Sequence, residues 1–143
     1  MKTLMPKQLK NEERKWYVVD AENQTLGRLA TQIAVILKGK NKVSFSPHLD
    51  NWDYVVVINA DKIAVTGNKL DGKIYRSHSG FLGGLKEISL GKLMVKKPTE
   101  AVKKSIYGML PKNKLRKNMM LRLKLVAGTE HNFWAQKPET IHL

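Results

Sequence analysis

Cysteine is absent from this 143-residue chain, which removes disulfide staples, thiolate zinc sites and cysteine nucleophiles at once and fits a reducing cytosol. Acidic residues are scarce: 12 Asp and Glu stand against 26 Lys and Arg, for a net charge of +14. An imbalance of that size exceeds what solubility needs, and its sign attracts phosphate backbones. The first twenty residues hold five basic and three acidic groups and no apolar run, so neither a signal peptide nor a membrane span is expected and the chain reads as soluble and intracellular. Internal repeats and low-complexity tracts are also missing.

What is present is enough apolar material, 42 % of residues, to fill the core of one domain of ordinary length. The positive charge is concentrated. Between Glu100 and Glu130 lie eight basic side chains (Lys103, Lys104, Lys112, Lys114, Arg116, Lys117, Arg122 and Lys124) and no acidic one. Residues 86–124 together carry twelve basic and two acidic groups, a net of +10. Most charge runs are only solvated faces, but the length of this one and its lack of counter-charge favour a polyanion, and nucleic acid is the natural one. If about eight of these cations neutralise phosphates, log K should fall against log salt with a slope on the order of six to seven. Binding of that kind ignores base sequence. Specificity would come from RNA shape and from rings able to stack on unpaired bases, with Tyr75, Tyr107 and His131 as candidates.

Periodicity outlines an α/β chain. Residues 1–14 have no period and read as an extended arm. Trp16-Tyr17-Val18-Val19 predicts a buried strand, and Asp20 to Gln24 a polar turn. From Thr25 to Lys38 the apolar positions follow helical spacing, with Thr25 as N-cap and Gly39 as terminator. Tyr54 to Ile58 is continuously apolar, as a parallel strand covered on both faces requires. Ile63 to Thr66 predicts a third short strand, Gly67 to Arg76 a hairpin excursion, and His78 to Gly84 an irregular glycine-rich loop. Helices are expected over Ser89–Val95 and from Pro98 to Gly108, with a further basic turn over Asn113–Met119. Leu121 to Val126 alternates, which predicts a half-exposed marginal strand with both its cations on the outer face. No period is assignable beyond Gly128.

Catalytic and cofactor motifs fail one by one. The strand–turn–helix unit Trp16 to Leu37 lacks a Gly-x-Gly-x-x-Gly turn, so dinucleotide binding is disfavoured, and Arg28 there reads as a phosphate contact or a solvated side chain. His48, Asp50, Asp53 and His78 show no metal-ligand spacing. Ser77, His78 and Ser79 lack a nucleophile elbow. The Gly80–Gly84 stretch before Lys86 lacks the Gly-Lys-Ser/Thr ending of a P-loop and reads as backbone approach to RNA or as an ordinary connector. No catalytic residue, metal or cofactor is expected. A nucleotide-using enzyme on an α/β scaffold and a general DNA-binding protein are the rival readings.

Several blocks carry a resemblance: Trp16-Tyr17-Val18-Val19-Asp20, Thr25-Leu26-Gly27-Arg28-Leu29-Ala30, Pro47-His48-x-Asp50, Asp53-Tyr54, Asn59-Ala60-Asp61-Lys62, Thr66-Gly67-Asn68-Lys69, Tyr75-x-x-His78-x-Gly80, Gly83-Gly84-x-Lys86 and Gly108-Met109-Leu110-Pro111-Lys112. Their order and spacing, from about Lys15 to Pro138, resemble the family of bacterial-type large-subunit ribosomal protein number thirteen. Trp52, Ala127 and the pair Phe133-Trp134 depart from its pattern.

The resemblance implies a three-layer α/β/α domain with a short, mainly parallel sheet and extended basic N- and C-terminal arms. It implies a single ribosomal protein domain over 1–143, with an arm over 1–14, a core over 15–128 that includes the basic segment 86–124, and a tail over 129–143. The expected role is a structural, non-enzymatic constituent of the cytoplasmic large ribosomal subunit that binds large-subunit rRNA beside neighbouring ribosomal proteins, helps early assembly and, secondarily, binds mRNA and represses translation, with no membrane partner. Arg28, His48, Arg76, His78, Lys86 and Lys112 are the RNA contacts carried over from family blocks. Lys38, Lys40 and Lys42, Lys103 and Lys104, Lys114, Arg116 and Lys117, and Arg122 and Lys124 complete the expected RNA-binding set.

Overall fold

A computed structural model describes residues 6–141. Strand β1 (Trp16–Asp20) leads through a turn into helix α1 (Leu26–Lys38), and β2 (Tyr54–Ile58) returns parallel to β1 with Val18 opposite Val56. Two short parallel strands complete this sheet: β5 (Leu123–Leu125) beside β2, and β6 (Glu139–Ile141) beside β1, in the order β5-β2-β1-β6. The connection from β2 to β5 carries α2 (Lys69–Gly72), the antiparallel hairpin β3 (Ile74–His78) and β4 (Leu85–Ser89), then α3 (Leu90–Lys96), α4 (Pro98–Met109) and α5 (Arg116–Leu121). The chain is α/β, as its continuous apolar strands require.

The core lies where α1 crosses the sheet. Val19, Val55 and Val57 point to one face and meet Ile33 and Leu37 of α1 and Val102 and Ile106 of α4, all buried. The other face carries Trp16 and Tyr54, whose rings stack at 4.2 Å, with Phe133 laid on Trp16 at 5.6 Å. Residues 129–141, where no period is assignable, thus supply an aromatic cover and an edge strand. Trp52, a departure from the family pattern, is fully packed at 1 % exposure.

Local expectations hold for α1, and for α4 to within a residue. Gly39 takes φ +71° and caps α1, with its N–H on the carbonyls of Val35 and Ile36. Thr25 occupies the N-cap position, but its side chain accepts no capping bond. Instead the Leu26 N–H donates to Ala64 O at 3.0 Å and the Ala64 N–H to Gln24 O at 2.9 Å. This corrects the third strand expected over Ile63–Thr66: the segment serves the start of α1 through a single bridge and never enters the sheet.

The hairpin is also displaced from its expected place. Residues 67–73 turn as α2, and the excursion is β3–β4, closed by the glycine-rich stretch itself. Ser79 N–H donates to Gly84 O and Gly84 N–H to Phe81 O, with Gly80 and Gly83 at φ +88° and +70°. Glycine there makes regular turn geometry, not irregular loop. Helix α5 begins three residues later than expected, where Asn113 Oδ1 accepts the Arg116 N–H. It also consumes Leu121, which is 63 % exposed, so the alternating strand shortens to three residues.

Candidate nucleic-acid interface

Helix α4 buries Ala101, Val102 and Ile106, which leaves Lys103, Lys104 and Tyr107 on its outer side. At its end Leu110 is buried as an anchor, and the chain turns at Pro111 into the exposed Lys112, Asn113 and Lys114 before α5 carries Arg116 and Lys117. The two helices and Tyr75 of β3 enclose a cleft of about 1000 Å³. Six cations line it (Lys103, Lys104, Lys112, Lys114, Arg116 and Lys117) against one carboxylate, Glu100.

Its aromatic surfaces are already cation-matched. The Arg116 guanidinium lies 4.4 Å from the Tyr107 ring centroid, and Lys104 Nζ and Lys73 Nζ lie 4.9 and 5.4 Å from that of Tyr75. Arg116 is further fixed by the backbone of the turn before α5: Nε donates to Pro111 O at 2.9 Å and Nη2 to Leu110 O at 3.0 Å. Lys73 was not among the expected residues, because an isolated lysine in the 67–76 segment carries no sequence signal. It reaches Tyr75 because the two lie two residues apart on extended backbone at the start of β3.

The other expected residues scatter. Arg28, Lys40 and His48 are exposed away from the cleft lining, and Lys38 lies half-buried over Phe45 at 5.7 Å. Arg76, His78 and Lys86 sit on the hairpin, where Arg76 pairs with Glu87 at 2.6 Å and His78 Nδ1 accepts the Gly80 N–H at 2.9 Å. Lys124 is half-buried in β5. His131, expected to be free for stacking, is 4 % exposed and lies against Trp134 at 4.1 Å, so it is Trp134 that faces outward.

Two expected cations are engaged inside the fold. Lys42 Nζ bonds the buried Asp53 carboxylate at 2.6 Å. Arg122, expected on the outer face of its strand, is 9 % exposed and closes a fork on Asp50, with Nη2 at 2.5 Å from Oδ2 and Nη1 on Oδ1. Asp50 also takes Arg14 Nη1 at 2.8 Å. Burial would raise the Asp50 pKa, but hydrogen bonds from Arg122 and Arg14 and the charge of both guanidiniums outweigh it and hold the carboxyl below its ordinary 3.8. The correction concerns where Arg122 lies: it turns inward because its Nη1–Nη2 edge is spent on a carboxylate and its guanidinium carbon sits 5.1 Å from the Trp52 ring, which leaves little surface for a phosphate. The same loop ties down the N-terminal segment: Leu9 N–H donates to Asn51 Oδ1, and Asn51 Nδ2 to Lys7 O.

Fold and site together define a basic α/β scaffold with a cationic, aromatic-lined cleft. Residues 14–132 match the family described as Ribosomal protein L13, and the chain belongs to that family. It is 58 % identical over 130 residues to the large ribosomal subunit protein uL13 of Clostridioides difficile, covering 91 % of each chain. The proteins of the same name from Pelobacter propionicus and Idiomarina loihiensis are 55 % and 54 % identical over 143 residues, the whole of each chain. As a member of this family the chain is a ribosomal protein with a structural, not a catalytic, role.

Proposed function

We propose that this protein is built into the large ribosomal subunit in the cytoplasm by binding large-subunit rRNA through the α4–α5 cleft, beside neighbouring ribosomal proteins, and that it joins early in assembly. The observation that carries this is the gathering of six cations and one carboxylate around a single concavity. Converging phosphate backbones repel, and a rigid α/β core that presents fixed positive charge lowers that repulsion while choosing which RNA segments converge. The names of the relatives, large ribosomal subunit proteins, support the same placement. Exposed residues of the hairpin and of α1, among them Arg28, Arg76, His78 and Lys86, would extend the contact beyond the cleft. The same cationic face would accept a messenger, and repression of translation through such binding is the secondary part of this reading.

The test is charge reversal at four exposed cleft residues, Lys103→Glu, Lys112→Glu, Lys114→Glu and Lys117→Glu together. Filter binding to large-subunit rRNA fragments should weaken by at least about 100-fold. Circular dichroism and the thermal midpoint should stay near the parent, since these side chains leave the core untouched. Retained affinity would move the RNA face elsewhere.

A further inference from the structure

The cleft is lined by two kinds of cation. Lys103, Lys112, Lys114 and Lys117 are exposed and have no hydrogen-bond or ion-pair partner among the described residues, so they can follow a phosphate wherever it lies. Arg116 cannot. Its Nε and Nη2 are held by the carbonyls of Pro111 and Leu110, and its guanidinium carbon lies 4.4 Å from the Tyr107 centroid. The Nε–Nη2 edge, one of the two with which an arginine grips an oxyanion bidentately, is therefore occupied. What Arg116 still offers is Nη1 and a charged guanidinium beside Tyr107, which is itself 49 % exposed. Because carbonyls and not carboxylates hold it, its charge is not cancelled.

A guanidinium held in place beside a phenol ring inside a concavity suits a nucleobase, since unpaired bases stack on aromatic rings and on arginine planes. The volume agrees. About 1000 Å³ is the scale of small-ligand sites, so a nucleotide fits inside, whereas a paired helix would rest on the rim. We infer that the cleft takes a single unpaired nucleotide, its base laid on the Arg116–Tyr107 stack and its flanking phosphates held by Lys112, Lys114 and Lys117. This deepens the rRNA-binding reading and rests on it: lysines set affinity, and the stack selects RNA with an extruded base over continuous duplex.

The experiment uses the full chain and two RNA hairpins that differ by one bulged 2-aminopurine. Anisotropy should show a preference of about tenfold for the bulged hairpin, the scale of one base stack, and the 2-aminopurine fluorescence should be quenched on binding. Tyr107→Leu, at a half-exposed site, should erase preference and quenching while affinity for the paired hairpin stays within about twofold. Tyr107→Phe should restore both. Arg116→Lys keeps the charge but not the plane, and should behave like Tyr107→Leu provided its thermal midpoint is unchanged. Lys114→Ala should weaken both hairpins alike. Equal binding of the two hairpins by the parent, or a preference that survives Tyr107→Leu, would overturn the nucleotide site and leave rRNA binding standing. Failure to bind either hairpin or any rRNA fragment would overturn both readings.

Discussion

Arg14, Lys42 and Arg122 carry the same unit charge as Lys103, Lys112, Lys114 and Lys117, yet the fold uses the two groups for opposite ends. The first three finish on Asp50 and Asp53 in the loop between α1 and β2 and are largely withdrawn from solvent. The other four meet no carboxylate among the described residues and stand exposed around the cleft. The difference lies in where the scarce acidic residues fall. Two carboxylates in one loop sort the cations into a clasp that joins the N-terminal segment and β5 to the core, and a free set that keeps its charge for a partner. Net charge alone overstates an interface.

Removing the clasp should have the largest effect. Asp50→Ala leaves Arg14 and Arg122, with side chains 3 % and 10 % exposed, without their counter-charge. Breaking one partner of such a group costs about 3–5 kcal/mol when fully buried; with Asp50 a quarter exposed, about 2–3 kcal/mol is the expected loss in urea unfolding. The pH dependence has a definite sign. A carboxyl whose folded pKa is depressed contributes stability that is fully present above the unfolded value near 3.8 and is lost as pH falls through the lower folded value. The parent should therefore lose stability below about pH 4 by a component that Asp50→Asn lacks. If Asp50→Ala instead left stability intact and weakened only RNA binding, the two groups of cations would not be distinct.

Gly39 sharpens the comparison from the backbone side, with a smaller effect. It stands at φ +71° between α1 and the carboxylate loop, and a β-carbon there would lie 3.1 Å from the Asn51 carbonyl oxygen. Gly39→Ala combines left-handed strain with that close approach and should cost about 1–2 kcal/mol. Because Asn51 and Asp50 adjoin in the loop, the variant should also raise amide exchange at Leu9, whose N–H ends on Asn51. Unchanged exchange there would mean that the loop holds its place without the α1 cap.

Legibility followed the range of the interactions. Helix α1 and strand β2 could be read directly, since a sustained apolar stripe and an unbroken apolar run are local signals that survive any tertiary context. Strand β6 could not: Glu139 and Thr140 are polar, and only pairing with Tyr17 and Val18 makes them a strand. The hairpin was displaced because turn dipeptides at 67–72 and glycines at 80–84 compete locally, and the β3–β4 register decides between them. In the site, the charge density of the basic segment was legible and so were Tyr75 and Tyr107. Which cations remain free was not, because the Asp50–Arg122 pair spans 72 positions and no local pattern links its ends.

The smallest effect tests the boundary between the two groups. Arg76 is paired with Glu87 at 2.6 Å across the β3–β4 hairpin, as Arg122 is paired with Asp50, but here the side chains are 63 % and 44 % exposed. Exposed pairs are screened by water and salt and contribute at most about 1 kcal/mol. Geometrically Arg76 belongs with the clasp; energetically it belongs with the free set. Glu87→Gln should then change the unfolding free energy by less than about 0.5 kcal/mol while releasing a full positive charge on the hairpin. RNA affinity should rise severalfold at low salt and converge on the parent value as salt increases, with a steeper salt slope. A loss of stability comparable to that of Asp50→Ala would place Arg76 in the clasp and make the carboxylate partner the deciding factor; a small loss makes exposure what separates cations that hold the fold from cations that remain available to RNA.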